Sequence, residues 1–263
     1  MRDKQARLEA ALLGCREVAV AFSGGVDSTF LLHAACAVLG PDRVHAFHAG
    51  SDLIPAGETR RVAAILESLG CRSRIFSLDP FLRPEFVANP PDRCYHCKKK
   101  VYEAFAAAAR EAGIPFLLDG TNADDLLEDR PGLKVLTELQ VQTPLAAVGL
   151  TKKEIRCLSR KALLPTWNAH SASCLATRIA SGEPITREKI FLVARCEAHL
   201  AEQGFFGTRV RLAAGVATIE VVESDLGRIA ENDVISMIQD MFFRLGLRGV
   251  QVSPQGRPRP DLE

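Results

Sequence analysis

The chain has 263 residues, 47% apolar and 25% charged, with a formal net charge of +1. That composition belongs to an ordinary globular protein of one large or two modest domains, and it excludes a disordered chain or one with a global basic footprint for nucleic acid. No apolar run approaches a membrane span, and the opening MRDKQARLEA is polar with no apolar h-region behind it, so neither membrane nor nucleic acid is expected as a partner and a cytoplasmic location is expected.

In residues 18–28, VAVAFSGGVDS, an apolar β-branched strand ends in a glycine turn, and TFLLHAACAVLG continues as a helix. Backbone N–H groups at such a helix N-terminus form an anion site, where orphan amides and the positive end of the dipole favour phosphate. Gly24 and Gly25 let oxygens approach the backbone without a Cβ in the way. Ser23 and Ser28 can donate hydroxyl hydrogen bonds, and Asp27 can hold Mg2+ beside the phosphates. The Gly-Lys-Ser/Thr ending of a Walker A loop is absent. The turn resembles instead the PP-loop, SGGxDS, of the ATP pyrophosphatases. That resemblance implies ATP cleaved between its α and β phosphates and a substrate oxygen that becomes adenylated.

Further strands are predicted at 44–48, 72–77 and 116–119, with helices around 28–39, 57–69 and 98–112. Strands separated by helices of this length imply βαβ units, hence an α/β fold with a parallel, doubly wound sheet that binds ligands at the carboxyl ends of its strands. Asn122, Asp124 and Asp125 follow the fourth strand on that rim. They suit ribose, Mg2+ or an adenylated carboxylate, and equally a helix N-cap. Thr151-Lys-Lys-Glu is a capping box opening a helix to about residue 163. Residues 164–186 lose all periodicity yet hold Trp167, His170 and Cys174, which marks a functional loop.

A second unit follows: helix 187–203, strands 208–213 and 218–222, helix 225–245 and strand 249–252, ahead of a Pro-rich tail. This order predicts a small α+β layer of ferredoxin-like type. The expected organisation is an ATP-binding domain at 1–165, a loop with a reactive cysteine at 166–185, and a substrate and oligomerisation domain at 186–263.

Of the eight cysteines, Cys15, Cys36, Cys71, Cys157 and Cys196 stand alone in apolar or helical settings and read as small buried hydrophobes. Cys94 and Cys97 form a C-x-x-C at the start of a helix, where nearby Arg93 and Lys98 favour thiolates. Zinc would need two more ligands that the spacing does not supply; a redox pair and structural coincidence are the other readings. Cys174, close in sequence to Arg178, can serve as a low-pKa nucleophile. Together the three thiolates can hold an iron–sulfur cluster with one iron left open, as a sulfur-transfer enzyme would require.

Several motifs occur jointly: SGGVDS at 23–28, RCYHCK at 93–98, GTNADD at 120–125 with DRPG at 129–132, CLATRIASGEPIT at 174–186 and VRLAAGVATIEVVESDL at 210–226. In them the chain resembles the LarE family of ATP-dependent sulfur transferases, which serve nickel-pincer nucleotide cofactor assembly, and within it the cysteine-rich, [4Fe-4S]-type branch. The resemblance implies a nicotinic-acid-derived pyridinium carboxylate mononucleotide as substrate and a homo-oligomer as the assembly. It implies ATP at Ser23, Gly24, Gly25, Asp27, Ser28, Asn122 and Asp125, Mg2+ at Asp27, and a [4Fe-4S] cluster at Cys94, Cys97 and Cys174. Arg178, Arg209, Arg211 and Asp225 would bind substrate; Arg209 and Arg211 alternate along a strand and so share a face, otherwise that of a solvated edge.

Two sulfur sources are open, a cluster-borne sulfide and sacrifice of the Cys174 sulfur. Ser181 stands where the family has an aromatic residue, and the ending GVQVSPQGRPRP lacks the family's tyrosine. Competing readings are a PP-loop tRNA thiolase, against which the near-neutral charge argues, an amidotransferase-type synthetase, for which no glutaminase is visible, and a nucleotide sensor.

Overall fold

Val18–Ala21, four buried residues, form strand β1, and their alternation divides the first half of the molecule into two layers. The computed structural model describes residues 1–54, 56–127, 131–169 and 173–257, so Asp129, Arg130, His170 and the end of the tail lie outside the described residues. Val18 and Val20 enter one core with Leu8, Phe30, Leu31, Ile65 and Ile155. Ala19 and Ala21 enter another with Phe47, Tyr102, Phe105 and Val135. Strand β1 pairs in parallel with β2 (Val44–Gly50) and with β4 (Phe116–Asp119), and β2 pairs with β3 (Arg72–Ser77), giving the order β3-β2-β1-β4. Helices Arg2–Leu13, Val26–Leu39, Ala56–Leu69 and Lys152–Lys161 contribute to the first core, and helix Arg93–Glu111 to the second. This is the parallel, doubly wound sheet expected from the alternation of strand and helix signals.

The later strands β5 (Arg209–Ala213), β6 (Val216–Glu220) and β7 (Gly249–Val252) make a second sheet, which packs against helix Arg187–Glu202 through Ile190, Val193, Cys196 and Leu200. Leu53, Phe86, Leu175 and Ile179 join the same core, so segments beside the first sheet meet the second sheet without a gap. Arg187 adds a polar strap, bonding Asp52 at 2.6 Å, Asp79, and stacking 4.5 Å over the Phe81 ring.

Three expectations change. The helix placed at 98–112 begins at Arg93, immediately after Pro90, Pro91 and Asp92, so both cysteines of the C-x-x-C lie inside its first two turns. The helix placed at 225–245 is two pieces, Leu226–Ile229 and Asn232–Arg244, because Glu231 is extended at φ −62° and ψ 132°. Strand β7 pairs in parallel with β6 across helix Asn232–Arg244, whereas β5 and β6 are antiparallel; among the described residues the sheet has three strands and is not ferredoxin-like. Pairing sense is a tertiary outcome that the local pattern does not encode. Among the described residues, no helix is long and apolar enough to cross a membrane.

Candidate active site

The carboxyl end of β1 carries the anion turn. Phe22 N–H still bonds Phe47 carbonyl at 2.8 Å, and the chain then leaves the sheet at Gly24, φ +80°. A Cβ on Gly24 would stand 2.6 Å from Val62 Cγ2, so both conformation and space require glycine. Gly25 is the extended N-cap of helix Val26–Leu39. The two serines brace the loop, with Ser23 Oγ and Ser28 Oγ 3.0 Å apart, Gly25 N–H donating to Ser23 Oγ at 3.3 Å and Ser28 Oγ donating to Gly25 carbonyl at 3.2 Å. Gly120, just past β4, lets that strand end press on the turn, since a Cβ there would lie 2.9 Å from Ser28 N.

Asp27 sits in the first turn of the helix. One carboxylate oxygen bonds Lys152 Nζ, while Oδ1 is buried with no hydrogen-bond partner. Burial lifts the Asp27 carboxyl above its usual range and the charge of Asp125 adds to this, whereas Lys152 and the Asn122 amide favour the charged form. An unpartnered buried carboxylate oxygen beside a phosphate turn fits Mg2+, a hard cation that takes oxygen ligands and substrate phosphates together. Asn122 is buried and its Oδ1 accepts from Asp124 N–H at 2.8 Å and Asp125 N–H at 3.2 Å, while Asp125 accepts from Asn122 N–H at 3.0 Å. These bonds close the turn that leads into Asp125–Leu127, and both Asn122 and Asp125 act on the Asp27 carboxyl. Asp124 bonds Lys152 N–H at 2.7 Å, which seats the lysine.

A cleft of about 240 Å³ opens beside the turn, lined by Phe22, Ser23, His48, Leu53, Tyr102, Phe105 and Cys174 among others. Its walls are mostly apolar and its floor is held by polar bonds: His48 Nδ1 lies 2.8 Å from Phe22 carbonyl, and Tyr102 donates to Asp119, whose other oxygen takes Thr121 N–H at 2.7 Å.

The same cleft reaches Cys174. Cys94 and Cys174 are exposed and Cys97 is half-buried. Arg93 donates toward Cys94 Sγ at 3.8 Å and to Ala176 carbonyl at 3.2 Å, which draws the C-x-x-C toward the Cys174 turn. Cys174 touches solvent through the cleft but is crowded by protein elsewhere. That crowding pushes its thiol up to about 11, with the Cys97 and Cys94 thiols adding and the Ala176 N–H and Arg93 opposing. Burial likewise raises Cys97, against the pull of Arg83 and Arg93. The low-pKa nucleophile expected from Arg178 is absent in this state, for a clear reason. Arg178 is buried and turned away, holding Glu197 at 2.7 and 3.3 Å, Ser173 Oγ at 2.5 Å and Thr177 Oγ1 at 2.9 Å. Among the described residues no three His, Cys, Asp or Glu side chains are closed around one point as a metal site. By donor chemistry alone, soft thiols with Arg93 beside them would suit iron.

A cationic surface lies on the other side of that loop. Arg209 and Arg211 point the same way from β5 while Val210 and Leu212 face the core. Burial, then repulsion from Arg257, Arg178 and Arg211, lowers Arg209 to about 10, with Glu220 opposing. Arg211 pairs with Glu220 and bonds Thr177 carbonyl at 3.1 Å. Two of these guanidiniums already hold carboxylates, Arg178 with Glu197 and Arg211 with Glu220. Asp225 lies five residues beyond Glu220, half-buried at the close of the turn Glu223–Asp225.

No protein-family model matches the chain. The pyridinium-3,5-bisthiocarboxylic acid mononucleotide synthase of Lactiplantibacillus plantarum is 33% identical over 246 residues, 93% of this chain and 89% of that one. The chain belongs to the LarE family. An uncharacterised protein of Synechocystis is 31% identical over 237 residues, covering 90% of this chain and 88% of its own. A GMP synthase of Aeropyrum pernix is 30% identical over 203 residues, 70% of this chain and 39% of that one.

As a LarE protein the chain is an ATP-dependent, sulfur-transferring enzyme. Within this LarE site, sequence reasoning missed Lys152, Gly120 and Arg257. Lys152 was visible only as the second residue of a capping box, Gly120 as the first residue of GTNADD, and Arg257 as part of a Pro-rich tail. Arg257 bonds Gly207 carbonyl, and Val222 pairs with it in a bridge, so this stretch is folded against β6. Cys36 and Cys71, read as solitary, are neighbours, and the Cys71 thiol together with burial pushes the Cys36 thiol up.

Proposed function

We propose that this enzyme adenylates a carboxylate of a nicotinic-acid-derived pyridinium mononucleotide with ATP and converts it to a thiocarboxylate. The observation that carries this reading is the shared cleft, lined at one end by Ser23 of the anion turn and at the other by Cys174. A carboxylate is a poor sulfur acceptor because oxide is a hopeless leaving group. Attack of its oxygen on the α-phosphorus makes an acyl adenylate and releases pyrophosphate, and sulfur then displaces AMP. Ser23, Gly24, Gly25 and Ser28 would receive the pyrophosphate, with Mg2+ on Asp27 and support from Asn122 and Asp125. Arg209 and Arg211, with Asp225 nearby, would anchor the phosphate and carboxylates of the substrate. Arg178 serves by fixing the Ser173–Thr177 backbone through Glu197. A [4Fe-4S] cluster on Cys94, Cys97 and Cys174 would leave one iron free to carry the transferable sulfide.

In this reading residues 1–165 bind ATP, 166–185 present the cysteine and 186–263 hold substrate, in a cytoplasmic homo-oligomer. The test is pyrophosphate, AMP and thiocarboxylate formation, with iron and acid-labile sulfide measured on protein prepared without oxygen. About four irons per chain, lost in Cys94→Ala, support the cluster. A single turnover without iron, leaving dehydroalanine at 174, would make Cys174 the sacrificial donor. AMP formation that persists in Cys174→Ala without thiocarboxylate would set that residue in the second step; thiocarboxylate made by that variant would remove it.

A further inference from the structure

We propose that Asn89 and Arg93 form a positioning clamp that sets the separation between the Cys94–Cys97 pair and Cys174. The proposal rests on the reading that the three thiols act together. Asn89 lies in the link VANPPDRC, where no motif singles it out. It is 1% exposed and left-handed at φ +55°, a conformation asparagine tolerates. Its carboxamide donates to Ala180 carbonyl at 2.7 Å and Glu183 carbonyl at 2.9 Å, and its backbone carbonyl accepts from Gly182 N–H at 3.1 Å. The remaining side-chain oxygen accepts from Arg93. Two residues earlier, Val87 carbonyl takes Ile185 N–H at 2.9 Å. The segment leading into the C-x-x-C is thereby laced to the segment leaving Cys174.

Arg93 closes the lacing at the thiols. One arm of its guanidinium serves both Asn89 and Ala176 carbonyl, two residues past Cys174, and the other faces Cys94. A planar fork of donors can span these partners at once, whereas an ammonium cannot keep that geometry. A buried asparagine with every bond made is rigid, and a loop anchor of purely structural purpose has no need to end on a thiol and on the peptide beside another.

The test uses the full chain, stripped of metal without oxygen and treated with dibromobimane, which bridges two neighbouring thiols. Peptide mapping gives the ratio of bridges from Cys174 to Cys94 or Cys97 against the Cys94–Cys97 bridge within one helix. Asn89→Gly keeps the left-handed backbone but removes the side-chain bonds, and Arg93→Lys keeps the charge but not the fork. In both variants the Cys174 bridge is expected to fall about tenfold or more against the internal one, as an effective concentration is lost. AMP formation with substrate is expected to persist. A wild-type ratio in either folded variant, or no Cys174 bridge in the wild type, overturns the clamp. Should Asn89→Gly fail to fold, Arg93→Lys decides alone. Iron loading separates the two ideas: a wild type that takes no iron but whose bridge depends on Asn89 fails the cluster and keeps the clamp. A variant that loads iron as fully as wild type fails the clamp.

Discussion

Asp27 is placed where its charge is useful to a ligand and unfavourable to the fold. Its carboxyl is raised above the 3.8 of the unfolded chain, mainly by burial, so the folded protein holds the proton more tightly. The sign follows: ionising Asp27 weighs against stability as pH climbs from the unfolded value through the folded one. Asp27→Asn is therefore expected to leave the melting temperature at pH 7 unchanged or higher, with Lys152, 37% exposed, turning to solvent. The same change should lower pyrophosphate release roughly 10³-fold if Asp27 holds Mg2+ as proposed. A clear fall in melting temperature would show that pairing with Lys152 outweighs burial. Cys174 gives a second expectation. With its thiol near 11, iodoacetamide labelling of the metal-free protein should rise steadily from pH 8 to 10, because only about one molecule in a thousand is thiolate at pH 8. A midpoint near the ordinary value of about 8.5 would show that Arg93 dominates over crowding.

At the scale of elements, two glycines hold the anion turn against its neighbours in different ways. Gly24→Ala meets both a left-handed φ and the Val62 methyl, and is expected to weaken ATP binding about tenfold, since left-handed backbone alone costs about 1–2 kcal/mol. Adding Val62→Ala should recover the part due to contact and leave the part due to φ, which calorimetric titration resolves. Gly120→Ala meets backbone at Ser28, which cannot yield as a side-chain tip does, so it should lose about 1–3 kcal/mol in chemical unfolding with no rescue from neighbouring truncations. The anion turn was legible in sequence because strand, glycine and hydroxyl signals fall within eleven residues. The Asp27–Lys152 pair was not, since it joins positions 125 residues apart and Lys152 already had a local explanation as part of a cap. Asn122 was legible as a turn-closing residue, and its side-chain oxygen does accept the Asp124 and Asp125 N–H groups. The thiols were legible as residues but not in their titration, because nothing in CLATR says that Arg178 is taken by Glu197.

Across the whole molecule, the two sheets communicate through loops rather than through strands. The parallel sheet followed from the spacing of strands and helices, whereas the pairing of β7 with β6 depended on a crossover that sequence leaves open. Arg187 crosses the seam from the second unit to Asp52 and Asp79, beside the Leu53 and Ile54 wall of the cleft. These groups are well exposed, so Arg187→Ala should cost under about 1 kcal/mol, a shift of about 2–4 °C at most. The KM for ATP should nevertheless rise severalfold as that wall loosens, and high salt should reproduce the effect in the wild type. An unchanged KM would confine the strap to the surface. One helix joins two parts of the site: Arg93–Glu111 carries Cys97 at its start and Tyr102, a wall of the cleft, five residues on. At about 1.5 Å and 100° per residue it is a rigid ruler with the thiol and the cleft wall engraved on one rod, about 7.5 Å apart. A single residue inserted between them would swing the thiols about a quarter-turn away while the cleft wall stayed put. Between those two marks, and back to Asn89 through its bond with Arg93, the residue count is locked.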